Sequence, residues 1–259
     1  MVITPPAVEK EAVEDALRTL VYGDSCPGAS EVAEAMRYSV LGSGQRWRPI
    51  LAIRVGKLAG AHPEPVMRAA TAVELLHCAS LIVDDLPCMD DEATRRGRLT
   101  VHRVFGEATA VLAAFSLVAL AARHVVEGRR GHEAMDFQQK LLRVLDCNGL
   151  VGGQAMDLAG AGASRQLAEK KTAPLFALAA RAGLIGVSME PIAKQSLLRF
   201  GQEFGVSYQM MDDLADGDSQ IRAPFEAQMR RTRELLHGFG SRAEALRELL
   251  DQLYGKSIS

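Results

Sequence analysis

Five carboxylates fall within nine residues in Asp84-Asp85-Leu86-Pro87-Cys88-Met89-Asp90-Asp91-Glu92, directly after the apolar run Leu81-Ile82-Val83. Such a cluster at the end of an apolar segment is electrostatically costly unless cations offset it. An acidic loop is often simply solvated, but Arg95, Arg96, Arg98, His102 and Arg103 follow at once. Carboxylates able to hold hydrated Mg²⁺, next to guanidiniums suited to phosphate oxygens, read as a diphosphate site. A second acidic segment, Tyr208-Gln209-Met210-Met211-Asp212-Asp213-Leu214-Ala215-Asp216, puts Asp212 and Asp216 at i and i+4, ~6 Å apart along one helix face. Two such rows suit a reaction in which divalent ions neutralise a leaving diphosphate while an apolar pocket shelters the electron-deficient carbon left behind. That is allylic diphosphate chemistry.

Helices must position these rows. Apolar residues recur at helical spacing through Val13, Leu17 and Leu20; Val32, Met36 and Val40; Ile50, Ile53 and Leu58; Val73, Leu76 and Leu81, and no segment alternates like a half-buried strand. Breakers such as Gly42-Ser43-Gly44, Gly60-Ala61-His62-Pro63 and Gly160-Ala161-Gly162 divide the chain into an expected eight to ten helices. The reading is an all-α bundle around a central cavity, forming one domain over residues 1–259. The apolar run Ala108 to Ala122 has 15 residues, short of the ~20 that cross a bilayer, so a buried core helix and no transmembrane segment are expected.

Composition narrows the class. At 259 residues with 48% hydrophobic content and net charge −2, the chain suits a globular fold, with neither a nucleic-acid surface nor a polybasic anchor. Cys26, Cys78, Cys88 and Cys147 lack metal-ligand spacing and are expected as free thiols. Glu9, Glu11, Glu14 and Asp15 make the beginning of the chain too acidic for an organelle transit peptide.

The stretch from Leu75 to Glu107, with its Asp-Asp-Leu-Pro-Cys-Met-Asp and Arg-Arg-Gly-Arg-Leu-Thr-Val-His-Arg-Val-Phe-Gly-Glu runs, resembles the first aspartate-rich region of plant geranylgeranyl diphosphate synthases. The likeness to this trans-isoprenyl diphosphate synthase family extends from about Glu34 to Asp216. It takes in Gly42-Ser43-Gly44-Gln45-Arg46-Trp47-Arg48-Pro49, Gly149 to Gln154 with Asp157, Lys171-Thr172-Ala173, and Gln209. The resemblance implies that Asp84, Asp85 and Asp90, with Asp212, Asp213 and Asp216, form the catalytic Mg²⁺-binding set. It further implies that Arg95, Lys171, Thr172 and Gln209 touch an allylic diphosphate, that Arg48, His77 and Arg96 hold isopentenyl diphosphate, and that Arg46 is also among the substrate-binding residues. Read alone, His77 on an apolar helix is more often a core histidine, and Lys171 a solvated helix-end charge. Ala79 and Ser80, a turn before Asp84, are small and would leave the cavity floor open.

Four departures separate this chain from the family pattern. Gln45 stands where the family has lysine, replacing a charge with a neutral amide. Val83 stands where a histidine is usual, and Ala114-Phe115 replaces a glycine-aspartate pair. Only 13 residues, 158 to 170, connect Asp157 to Lys171, fewer than in catalytic relatives. Gly217 to Phe225 contains no lysine, where the family has a lysine-bearing closing segment, and the domain reads as shortened at its C-terminal end. One phosphate-directed cation can be worth ~3 kcal/mol, on the order of a hundredfold in rate. The resemblance is therefore to the small, regulatory subunit of a plastid heteromeric geranylgeranyl or geranyl diphosphate synthase, catalytically weak and partnered by a catalytic large subunit. The small subunits' Cys-x-x-x-Cys motifs are absent. An active homomeric prenyltransferase is the alternative; an isoprenoid cyclase ranks below both, because Arg48, His77 and Arg96 point to a second diphosphate.

Overall fold

The computed structural model describes residues 7–23, 28–127, 131–160, 165–215 and 219–256. Its helices are α1 (Ala7–Gly23), α2 (Ser30–Val40), α3 (Trp47–Ala59), α4 (Pro63–Asp84), α5 (Val101–Phe105), α6 (Glu107–Val126), α7 (His132–Arg143), α8 (Leu150–Leu158), α9 (Arg165–Lys171), α10 (Ala173–Ala182), α11 (Pro191–Ala215), α12 (Arg222–Glu234) and α13 (Glu244–Lys256). The architecture is all-α. Helices outnumber expectation because short ones, α5, α8 and α9, occupy the motif-bearing connections that carry few apolar repeats.

α4 is the axis of the bundle. Prolines at its first turn suit a helix start, and the residues that follow bury every side, from Val66 and Ala69 to Cys78, Ala79 and Ile82. It packs chiefly on α6 and α3, while α10 packs on α11. That second pair is close: a Cβ at Gly201 of α11 would lie 2.4 Å from the Ala180 Cβ. One cluster of buried side chains joins Val13 and Leu17 of α1 to Leu249 and Leu253 of α13.

Two expectations need correcting. The chain contains a small strand pair, β1 (Thr94–Arg95) and β2 (Arg98–Leu99), antiparallel with Arg95 opposite Arg98. Its turn residues Arg96 and Gly97 both have positive φ, 52° and 77°, as a two-residue hairpin turn requires. A ribbon this short leaves no alternating pattern to read.

α6 is likewise not buried all round. Ala110, Ala113, Leu117, Ala121 and Val125 face inward, but Leu112 is 54% and Phe115 71% exposed. An apolar run longer than one packing stripe leaves its surplus on the outer face. By length and composition α4 and α6 could each cross a membrane; α4 is instead the buried centre, and α6 is covered on one face only.

Candidate active site

The two acidic segments arrive by different routes. Asp84 ends α4, and the chain turns there, with the Asp90 amide bonding the Asp84 carbonyl at 2.9 Å. Asp212 and Asp213 lie near the end of α11. Asp216 falls outside the described residues.

The adjacent carboxylates Asp84 and Asp85 diverge. Asp85 is buried and takes Arg95 through Nε and Nη2, both at 2.6 Å. Burial nevertheless outweighs Arg95 and holds the Asp85 carboxyl above its ordinary range. The Asp84 carboxylate makes no hydrogen bond or ion pair among the described residues and lines an apolar cavity. Burial, opposed by Lys171 and reinforced by Asp90, pushes its carboxyl up to about 6.

A relay joins the segments through Lys171-Thr172. Gln154 Nε2 donates to Asp90 Oδ1 at 3.0 Å. Lys171 Nζ lies 3.9 Å from Asp90 Oδ2 and donates to Asp157. The Thr172 hydroxyl donates to Gln209 Oε1 at 2.6 Å, and Gln209 Nε2 donates to Asp213 Oδ1 at 2.9 Å. This geometry depends on Gly153: a Cβ there would lie 2.7 Å from the Lys171 nitrogen and 2.8 Å from the Lys170 carbonyl carbon. α8 can approach the end of α9 only without a side chain at that position.

A cation shared between Asp84, Asp90 and a phosphate ligand fits these residues. Asp84 is an unpaired, partly buried carboxyl whose charge burial disfavours, and added positive charge would favour it. Among the described residues no three His, Cys, Asp or Glu form a closed metal cluster. Mg²⁺ bound there would take one or two of these carboxylates and complete its shell with phosphate and water.

A polar pocket of about 340 Å³ lies at the start of α3, lined by Gln45, Arg48, Glu74, His77 and Arg96 among others. Arg48 is buried, its Nε has no partner, and its guanidinium stacks 4.5 Å from the Phe176 ring centroid. Arg96 makes no hydrogen bond or ion pair through its side chain among the described residues. Burial, then Arg48 and Arg96, drive the His77 imidazole well below its ordinary range, so it is neutral near pH 7. The Trp47 indole donates to Gln45 Oε1 at 2.6 Å.

Arg46 behaves differently from its neighbours. Its φ is 59°, and its donors reach Glu14 Oε1 at 2.7 Å and Oε2 at 3.1 Å, Glu74 Oε1 at 2.8 Å, and the carbonyls of Val40 and Gly42. Burial opposes the charge, but Glu74 and Glu14 outweigh it and hold the guanidinium above its usual range. Each of its three side-chain nitrogens is thus engaged, and Arg46 ties α1 to α4 while also lining the pocket. Sequence reasoning missed Glu14 and Glu74, and also Lys10, which lines the same pocket. No motif marks Lys10 and Glu14, because α1 precedes the region of resemblance, and Glu74 lies within it but outside the motifs that carry the likeness.

The apolar cavity beside Asp84 measures about 450 Å³, and Ala79, Ser80, Val83, Ala114 and Phe115 are in its wall. The larger concavity between α7, α10 and α11 holds none of the expected residues.

An all-α bundle that links two aspartate segments beside an apolar cavity defines the class of trans-prenyl diphosphate synthases. The polyprenyl synthetase family model matches residues 29–222, and the chain belongs to that family. Over 198 residues it is 39% identical to the heterodimeric geranylgeranyl pyrophosphate synthase large subunit 2 of Arabidopsis thaliana, covering 72% of this chain and 52% of that protein. It is 40% identical over 203 residues to the mitochondrial geranylgeranyl pyrophosphate synthase 6 of the same plant, covering 72% and 60%. The chain therefore spans a little over half the length of these relatives. An FPP/GFPP synthase from Zymomonas mobilis, in an apo structure, superposes with a TM-score of 0.86 at 31% identity, over 95% of this chain and 98% of that one. A geranyltransferase from Legionella pneumophila gives 0.89 at 29% identity, over 97% and 96%.

Proposed function

We propose that this chain is a regulatory, catalytically weak subunit of a plastid heteromeric geranylgeranyl or geranyl diphosphate synthase, pairing with a catalytic large subunit and changing its rate or product length. The observation that carries this reading is the side chain at position 45. A neutral amide, its oxygen held by the Trp47 indole, stands where a cation would meet a diphosphate, and Gly217 to Phe225 offers no lysine in compensation. The exposed apolar face of α6, with Leu112 and Phe115, is the surface offered to the partner. One relative is named as the large subunit of a heterodimeric synthase, which supports a partner of that kind.

A second reading is an active Mg²⁺-dependent prenyltransferase that condenses isopentenyl diphosphate with an allylic diphosphate. The Asp90–Lys171 and Thr172–Gln209–Asp213 contacts favour it, since a decayed site need not keep them. In that reaction Mg²⁺ would neutralise the departing diphosphate. Asp84 and Asp90 would hold it from one segment, and Asp212 and Asp213 from the other. Lys171 would add positive charge at the same place, and the apolar wall of Ala79, Val83 and Phe115 would exclude water.

The deciding experiment is a prenyltransferase assay with Mg²⁺, run on this chain alone and then with a plant plastid large subunit. Silence alone, with altered rate or product length in the mixture, is the expected result. Turnover alone at the rate of a catalytic relative would sink the regulatory reading.

A further inference from the structure

Lys10 stands in the wall of the pocket that holds Gln45, Arg48, His77 and Arg96. The helix turn that carries it is fixed, because α1 is anchored on both sides of Lys10. Val13, Leu17 and Val21 form a buried stripe at i, i+4 and i+8. On the N-terminal side, Glu9 accepts Arg54 Nε at 2.9 Å and Lys57 Nζ at 2.6 Å. On the other side, Glu14 accepts Arg46.

These pairings decide what Lys10 can do. A lysine on a helix ordinarily finds its carboxylate four residues away. For Lys10 that residue is Glu14, whose two oxygens are both taken by Arg46. Glu74, the carboxylate in the pocket wall, is also bound to Arg46. Lys10 itself makes no hydrogen bond or ion pair through its side chain among the described residues. Lys10, Arg46, Arg48 and Arg96 line the pocket as four cations, of which Arg46 is the one bound to Glu14 and Glu74.

We propose that Lys10 supplies, from α1, the cation that Gln45 does not, so that this pocket binds the diphosphate of a small homoallylic ester despite the substitution. The inference rests on reading the pocket as a diphosphate subsite and adds a ligand from a helix outside the resemblance. It also separates binding from turnover, since a weakly catalytic subunit can retain this affinity while lacking the lysines that act on the leaving group.

The test is calorimetric titration of the full chain with isopentenyl diphosphate in metal-free buffer, where the aspartate segments do not contribute through Mg²⁺. Lys10→Gln is expected to weaken binding at least tenfold without moving the thermal midpoint, because the Lys10 side chain makes no hydrogen bond or ion pair among the described residues. Gln45→Lys in that background is expected to recover most of the loss, since it returns a cation to the same pocket. Unchanged affinity in Lys10→Gln would overturn the proposal, as would a failure of Gln45→Lys to rescue it. Absence of any isopentenyl diphosphate binding by the natural chain would defeat the pocket assignment itself. These outcomes are separate from the mixing assay, whose failure would leave a Lys10-dependent affinity in place.

Discussion

The Thr172 hydroxyl donates to Gln209 Oε1 at 2.6 Å, which frees the other end of the same amide to donate to Asp213. One side chain therefore sets the orientation of a carboxylate on α11 from the junction of α9 and α10. Thr172→Val keeps the shape and removes the donor, leaving a half-buried amide oxygen unsatisfied at a cost of about 1–2 kcal/mol. The expected result is a modest fall in the thermal midpoint and a larger fall in the stabilisation given by Mg²⁺ plus diphosphate. Thr172→Ser should restore both.

Arg46 gives the opposite balance. Replacing it with Gln leaves Glu74, whose side chain is 3% exposed, without its cation, and breaking a buried pair by removing one partner costs about 3–5 kcal/mol. Denaturant unfolding of Arg46→Gln should show a loss of that order. Paired replacement of Arg46 and Glu74 by Met and Leu should recover much of it.

The contrast between these residues shows what the sequence could reveal. The carboxylate rows and the arginines after Asp90 stand out by residue type and local spacing, whereas the Lys171-Thr172 pair was singled out only by the family resemblance. The opposite directions of Asp84 and Asp85 were not legible, since the end of α4 decides them. The saturation of Arg46 and the placement of Lys10 depend on how α1 docks against α3 and α4, a long-range event that leaves no local pattern. The open face of α6 was hidden for a related reason: its composition is that of a core helix, and only its neighbours show which side is uncovered.

Gly153 tests whether the approach of α8 to Lys171 matters. A methyl group there meets backbone atoms of Lys170 and Lys171 at 2.7 to 2.8 Å, so the helices must separate, and overpacking of this kind typically costs about 1–3 kcal/mol. Gly153→Ala should also weaken the Gln154–Asp90 and Lys171–Asp157 contacts. Diphosphate-dependent protection of the 150–172 segment, measured by hydrogen exchange, is expected to fall. Unchanged protection would mean the site tolerates the shift.

His124 gives the fold a pH dependence remote from the aspartates. Its Nε2 lies 3.3 Å from the Thr71 hydroxyl, and burial, aided by Arg68, pushes its pKa down to about 4 from 6.5. Because the folded value is the lower one, protonation favours the unfolded chain. Stability is then lost as pH falls from about 6.5 to about 4, and no further below that, by roughly 2 kcal/mol once the ~3 kcal/mol of the full shift is discounted for the solvent screening of a half-buried ring. His124→Gln should flatten this part of the unfolding profile and leave the remainder unchanged.

Phe115 carries the last prediction, because its two possible roles have opposite signatures. It is 71% exposed, so Phe115→Asp removes little from the folded monomer and should move stability by less than about 1 kcal/mol. If α6 is the face that meets a large subunit, the same substitution places an unpaired carboxylate in an apolar contact, and co-purification with that subunit should be lost. Phe115 also lines the cavity beside Asp84, so a change in product length with pairing intact would assign it to the cavity wall instead. Measuring both complex formation and product spectrum on one variant separates the two roles, and retained pairing would remove α6 as the docking face.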